Sequence, residues 1–309
     1  MLPLESTTFR QAAEAVAAGF RAAADLAGTA VTVIPHGDGD VVGAIDKARA
    51  ARASVIVGPL LRDDLKSVAA YKDPLPFTIA LNQIEEDAAL PDRIYTLALS
   101  IEGEARQIAR TMQADGMRDV AIVASESPLQ RRFAASFTAQ WILLGGSAPG
   151  TYRLVRTPDT LATLRQELQR AAPTAILLAA DATDAALARP YLPRVPVYAS
   201  SQVSEASSPQ VNYDLEDIHF IDVPWLVDPG APQFAAIPGP ESSDRNLARL
   251  YALGIDAFAV ALAFEHGAPE YLDLDGASGH LSLGPQHRIT REGRLAHFES
   301  GHVVADTAH

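Results

Sequence analysis

Apolar residues recur at steps of three and four from Phe9 through Ala13, Val16, Phe20, Ala23 and Leu26, and Gly28 follows as a stop. This predicts an opening amphipathic helix with one buried face. Val31 to Ile34 is a short β-branched run, the Gly/Asp-rich stretch from His36 to Asp40 reads as a turn, and Val42, Ile45 and Ala48 mark a second helix. The same beat continues with a strand at Ser54–Val57, a helix from about Asp63 to Tyr71, a strand at Pro76–Leu81 and another at Ile94–Leu99. Strands alternating with helices predict a parallel sheet with helices on both faces and right-handed crossovers.

A second series then begins. Helices are expected over Glu102–Ala114, Leu129–Leu144 and Leu161–Ala171, with strands at Val120–Ala124, Tyr152–Val155, Ala175–Leu178 and Val195–Tyr198. The Pro/Ser/Gly-rich stretches Ser204–Asn212 and Asp228–Ser243 read as exposed loops. A long helix over Leu247–Phe264 precedes three alternating runs beginning at Gly279, Arg288 and Arg294, which read as antiparallel edge strands. The expected fold class is therefore α/β, with two doubly wound Rossmann-like lobes and a cleft between them. Lobe 1 is assigned residues 1–99 plus 226–266, and lobe 2 residues 100–225 plus 267–309.

Composition narrows the function classes. The 309 residues are 48% hydrophobic and 20% charged, which supports large cores and excludes global disorder. A net charge of −13 without any basic run disfavours nucleic acid or an anionic membrane surface as the main partner. Without cysteine there are no disulfides, thiolate metal sites or cysteine nucleophiles. The apolar stretches are too short, or are interrupted by Asp256, for a membrane span to be expected, and Met1-Leu-Pro-Leu-Glu has no signal-peptide pattern.

The search for catalytic chemistry mostly fails. Ser147 lies in Gly145-Gly-Ser-Ala-Pro-Gly, but Pro149 stands where a nucleophile elbow needs Gly, so a loop is expected. No phosphate-binding Gly-rich fingerprint follows a strand. The His residues make no ligand pair on one helix face, His266 reads as a helix-end cation, and Asp38/Asp40 and Asp273/Asp275 read as turns rather than calcium loops. No catalytic residue, metal or cofactor is assigned.

Ligands of open parallel sheets bind beyond the carboxyl ends of strands. That rule selects Gly58, Pro59 and Leu60, then Asn82 and Gln83, and then Ser200, Ser201 and Gln202, as groups that could hold a small polar ligand in the cleft. Ordinary capping and turn formation explain the same residues. Ser100 and Glu102 start a helix and read first as its cap, with ligand binding as the alternative. Trp225 reads as core, with hinge packing and an exposed anchor as the alternatives.

The run Ser54-Val-Ile-Val-Gly-Pro-Leu-Leu-Arg-Asp-Asp-Leu, followed by Pro76-Phe-Thr-Ile-Ala-Leu-Asn-Gln, resembles the LpoA (LppC) family of penicillin-binding-protein activators. Ala98-Leu-Ser-Ile-Glu-Gly-Glu-Ala-Arg, Pro196-Val-Tyr-Ala-Ser-Ser-Gln, Asp222-Val-Pro-Trp-Leu and Arg249-Leu-Tyr-Ala-Leu-Gly-Ile-Asp-Ala-Phe extend the resemblance in order. It implies a type I periplasmic-binding fold in a non-enzymatic outer-membrane lipoprotein, facing the periplasm and stimulating a class A penicillin-binding protein in peptidoglycan synthesis. Attachment to the membrane would run through a lipid anchor that these residues do not contain. The alternative is a periplasmic solute-binding protein. Relatives that bind amino acids offer a hydroxyl soon after the Gly-Pro turn, whereas Leu60, Leu61 and Arg62 stand here.

Overall fold

A computed structural model describes residues 1–84, 89–205 and 209–306. In chain order it has α1 (Arg10–Leu26), α2 (Val41–Ala50), β1 (Val55–Val57), α3 (Arg62–Ala69), β2 (Phe77–Ala80), β3 (Ile94–Leu97) and α4 (Ile101–Ala114). There follow β4 (Val120–Ala124), α5 (Pro128–Leu143), β5 (Gly150–Arg153), α6 (Pro158–Ala171), β6 (Ala175–Ala179), α7 (Ala182–Ala188) and β7 (Val197–Ala199). The chain ends through α8 (Pro209–Asp214), β8 (Ile218–Asp222), α9 (Pro224–Val227), α10 (Arg245–Ala263), β9 (Asp273–Asp275), β10 (His280–Leu283), β11 (Arg288–Glu292), β12 (Arg294–Glu299) and β13 (His302–Ala305).

Two compact units result, residues 1–99 with 223–291 and residues 100–222 with 292–309. The first contains a six-stranded sheet in the order β1-β2-β3-β11-β10-β9. Its β1-β2-β3 core is parallel, because the βα connections return each strand in the same direction. One face packs against α1 and α10 through Val16, Ile79, Leu97, Leu253 and Phe264, and the other against α2 and α3 through Ile45, Ile56, Leu65 and Ile94. Helices on both faces explain why these strands are largely apolar and buried rather than alternating, with only Thr78 and Thr96 among the apolar residues. By length and composition α10 could cross a membrane, yet 61% of its apolar window is buried, and it is the core helix of this unit.

The second unit holds a seven-stranded sheet, β13-β12-β8-β7-β6-β4-β5, parallel from β5 to β8 and antiparallel at β12 and β13. Val120, Ile122, Leu177 and Ala179 face α4 and α5 across Ile108, Phe133, Phe137 and Trp141. Successive strand residues point to opposite faces, so buried Ala121, Val123, Ile176 and Leu178 lie on the far side, where α6 buries Leu161, Leu164 and Leu168.

Several expectations need correction. Phe9 and Leu26 are exposed, and the buried face of α1 is Ala13, Val16, Ala17, Gly19 and Ala24. Val31–Ile34 forms no strand. Apart from a parallel bridge between Leu2 and Pro35, this segment borders a cavity instead of a ladder partner. Residues 209–212, expected in a loop, lie in α8, while 206–208 lie outside the described residues. Asp273 and Asp275 sit on β9 rather than in a turn.

The largest correction concerns residues 267–291, expected in the second lobe. β11 runs parallel beside β3, with Arg288 opposite Thr96 and Ile289 opposite Leu97, so this stretch completes the first sheet and only β12 and β13 join the second. Val223 and Trp225 likewise pack in the first unit, with Phe234 and Tyr251. Trp225 is a core residue, its ring 5.3 Å from Phe234 and 5.6 Å from Tyr251.

Candidate functional site

In the first unit, β1 and β2 end side by side, and their loops are fastened together. Gly58 N donates to Ile79 O at 2.8 Å, Leu81 N to Pro59 O at 2.8 Å, and the Asn82 side-chain amide to Leu60 O at 2.9 Å. Asn82 Oδ1 accepts from Gln83 N at 2.9 Å, so both ends of the amide are engaged within the loop. Gly58 and Leu60 are buried. Gly58 has φ +104°, and a Cβ there would lie 2.0 Å from Met1 O, which explains why this turn carries glycine. The five residues selected by the strand-end rule in this unit are thus neighbours, and the side-chain bond of Asn82 to Leu60 O holds loop to loop.

The first unit also contains two buried polar residues that motif reading passed over, His36 in the segment before α2 and Asp64 in the first turn of α3. His36 and Asp64 are buried, and His36 Nε2 and Asp64 Oδ2 have no hydrogen-bond partner among the described residues. Burial pushes the Asp64 carboxyl above its ordinary range, against an opposing pull from His36. Orphaned buried polar atoms suit a polar guest or bridging water. No periodicity marks His36 or Asp64, so sequence alone offers little signal for them. The first unit also has a cavity of about 310 Å³ lined by Val16, Phe20, Val33, Val55 and Phe258. None of the selected residues lines it.

In the second unit Ser100 caps α4, its Oγ accepting from Gly103 N at 3.2 Å and donating to Glu102 Oε2 at 2.9 Å. Arg132 Nε donates to Glu102 Oε1 at 2.7 Å. Burial pushes the Glu102 carboxyl up, but its hydrogen bonds and the Arg132 charge outweigh this and hold it below the usual range. Glu102 is therefore an ionised, internally paired carboxylate. The loop after β7 is anchored from the first turn of α4. Glu104 is buried and accepts from Ser201 N and Ser201 Oγ, each at 3.0 Å. Ser204 Oγ reaches Asp222 Oδ2 at 2.9 Å, and buried Ser200 Oγ has no partner among the described residues. Gln202 is half-buried in the same 3₁₀ turn.

Glu104 and Ser201 tie α4 to the β7 loop, so their coupling is measurable. Glu104→Gln loses one acceptor and is expected to cost ~1–2 kcal/mol in urea unfolding. In a double-mutant cycle with Ser201→Ala, a coupling above about 0.5 kcal/mol is expected, because the two residues share both bonds.

The absence of a histidine pair on a helix face does not extend to the sheet. The second unit sets His219 of β8 opposite His297 of β12 and brings Asp306 to both.

The model for the family described as "LppC putative lipoprotein" matches residues 1–164 and 160–301, across both units. The chain belongs to the LppC family. Among curated LppC relatives, penicillin-binding protein activator LpoA of Haemophilus influenzae is 29% identical over 274 residues, which is 84% of this chain and 46% of that protein. The chain spans about half the length of the curated relatives it matches.

Solved structures place this LppC chain in the periplasmic-binding fold. A "putative branched-chain amino acid ABC transporter" from Chromobacterium violaceum is 30% identical with TM-score 0.85, covering 96% of this chain and 97% of that one. The H. influenzae LpoA C-domain, described as a regulator of PBP1A, has TM-score 0.83 at 24% identity and covers 99% and 98%. The expected fold class and family resemblance are borne out.

Proposed function

We propose that this chain is the periplasmic regulatory domain of an outer-membrane lipoprotein that activates a class A penicillin-binding protein and thereby stimulates peptidoglycan synthesis. The observation that carries this reading is the LppC match across both units, within which curated relatives are named as LpoA activators. The domain acts as a non-enzymatic docking partner, shifting the synthase toward its active state through differential binding. The engagement of Asn82, Glu102, Glu104 and Ser201 in bonds within their own units supports a binding role built on preformed loops.

The test is biolayer interferometry of the chain against the periplasmic part of the class A synthase from the same organism, with glycan-chain synthesis followed in parallel. Saturable binding with faster synthesis is expected. A folded chain that neither binds nor stimulates overturns the reading.

The Chromobacterium violaceum neighbour favours a second reading, a solute-binding protein for a small polar ligand. A ligand that binds only the folded state raises Tm with concentration. Leu60 and Leu61 take the place of the usual hydroxyl, so leucine, isoleucine and valine are expected to leave Tm unchanged. A saturable rise with any of them would establish the second reading.

A further inference from the structure

We propose that His219, His297 and Asp306 form a binding site for a divalent transition-metal ion, with zinc as its first occupant. β8 and β12 are antiparallel neighbours, and His219 and His297 are direct register partners, so both imidazoles stand on one face with ring centroids 5.5 Å apart. Asp306 directly follows β13, and its own amide donates to Leu295 O at 3.0 Å. That anchor places one carboxylate oxygen 2.9 Å from His219 Nδ1 and the other against His297 Nδ1. One ligand atom from each residue lies within 4.8 Å of the other two.

The chemistry of this donor set fits the ion. Zinc takes imidazole nitrogen and carboxylate oxygen at about 2.0–2.2 Å, which sets tetrahedral ligand atoms roughly 3.3–3.6 Å apart. The 2.9 Å contact between His219 Nδ1 and Asp306 is shorter than that spacing, so the groups open to admit the ion. Without the ion, an ionised carboxylate only accepts, so each Nδ1 carries a hydrogen. On binding, a neutral imidazole moves this proton to Nε2, and the Nδ1 lone pair faces the ion. Tyr198 stacks on His219 at 5.2 Å and donates its hydroxyl to Asp115 Oδ2 at 3.2 Å, which restrains the ligand ring.

Burial separates this cluster from an ordinary surface ion pair. The side chains of His219, His297 and Asp306 are 28%, 24% and 15% exposed, accessible to an ion yet partly shielded from water. His280 with Asp273 and Asp275 offers similar groups, but those side chains are 43%, 76% and 88% exposed and lie on a short edge hairpin. Three protein ligands leave a fourth position for water or for a donor group of a partner.

The experiment uses the chain without an affinity tag, stripped with chelator, and titrated with ZnCl₂ by calorimetry and with CoCl₂ by visible absorption. One zinc per chain, a zinc-dependent rise in Tm, and tetrahedral cobalt bands are expected. Outer-shell losses alone cost 10–100-fold in metal affinity, so His297→Ala should weaken binding by at least about 100-fold. Asp306→Asn, which preserves shape, should weaken it by a similar factor, while His280→Ala should leave it unchanged. A wild-type chain that binds no zinc in the micromolar range overturns the proposal, as does zinc bound with unchanged affinity by folded Asp306→Asn protein.

Discussion

Gly254→Ala is expected to destabilise the chain by about 3 kcal/mol, although alanine is the better helix former. Propensity at a mid-helix position favours alanine over glycine by about 1 kcal/mol. Packing opposes it. α1 and α10 touch backbone to backbone, and a Cβ on Gly254 would lie 2.2 Å from Val16 O, while one on Gly19 would lie 1.9 Å from Tyr251 O. Those atoms are main-chain carbonyls in helices and cannot rotate away, so the helices must separate and loosen the contacts around Phe20 and Phe258. The overpacking cost therefore sits at or above the top of the usual range, ~4 kcal/mol before the propensity gain. Thermal unfolding should show a Tm lower by about 5–10 °C. Gly19→Ala should behave alike, and an unchanged or raised Tm in both variants would mean that the helices do not meet this closely.

Asp256→Ala is expected to cost about 3 kcal/mol, because one carboxylate of α10 holds the entry to β10. Asp256 is buried and accepts from Ala277 N at 2.6 Å, Ser278 N at 2.7 Å and Ser278 Oγ at 2.5 Å. Truncation leaves those donors buried and unpaired, at roughly 1–3 kcal/mol each, partly offset by removing a desolvated charge. Gly276 makes the close approach available, since a Cβ there would lie 2.4 Å from Asp256 Oδ2.

The same group has a pH signature. Burial raises the Asp256 carboxyl from 3.8 to about 6, although the hydrogen bonds from Ser278 and Ala277 and the Arg291 charge pull the other way. A folded pKa above the unfolded one means that the folded state binds more protons between the two values. The contribution of Asp256 to stability is then fully present below about pH 4 and falls as pH rises through 6, by ~3 kcal/mol at 1.36 kcal/mol per unit. The wild-type advantage over Asp256→Asn, measured by urea unfolding, should shrink across that window. A difference constant from pH 4 to 7 would place the carboxyl at its ordinary pKa.

Much of the architecture was legible because local pattern and packing agree. The step of three and four in α1, the apolar runs at β1, β2, β4 and β6, and the glycine stop at Gly28 all mark elements where the structure has them. The loop residues Asn82 and Ser201 were found by a topological rule, and the structure shows what holds them: Leu60 O in one case and Glu104 in the other. Glu104 was invisible as an anchor because a carboxylate in a first helical turn already has a sufficient local explanation.

By itself, the sequence determined the α/β class, the two βα series and the family, since these depend on periodicity and ordered motifs carried within short windows. Tertiary structure alone decided which sheet received β9 to β11, why Gly19 and Gly254 are glycine, and that His219, His297 and Asp306 meet. Each of these depends on partners far away along the chain. Hydrophobic alternation records which face of a strand is buried, but not which strand lies beside it.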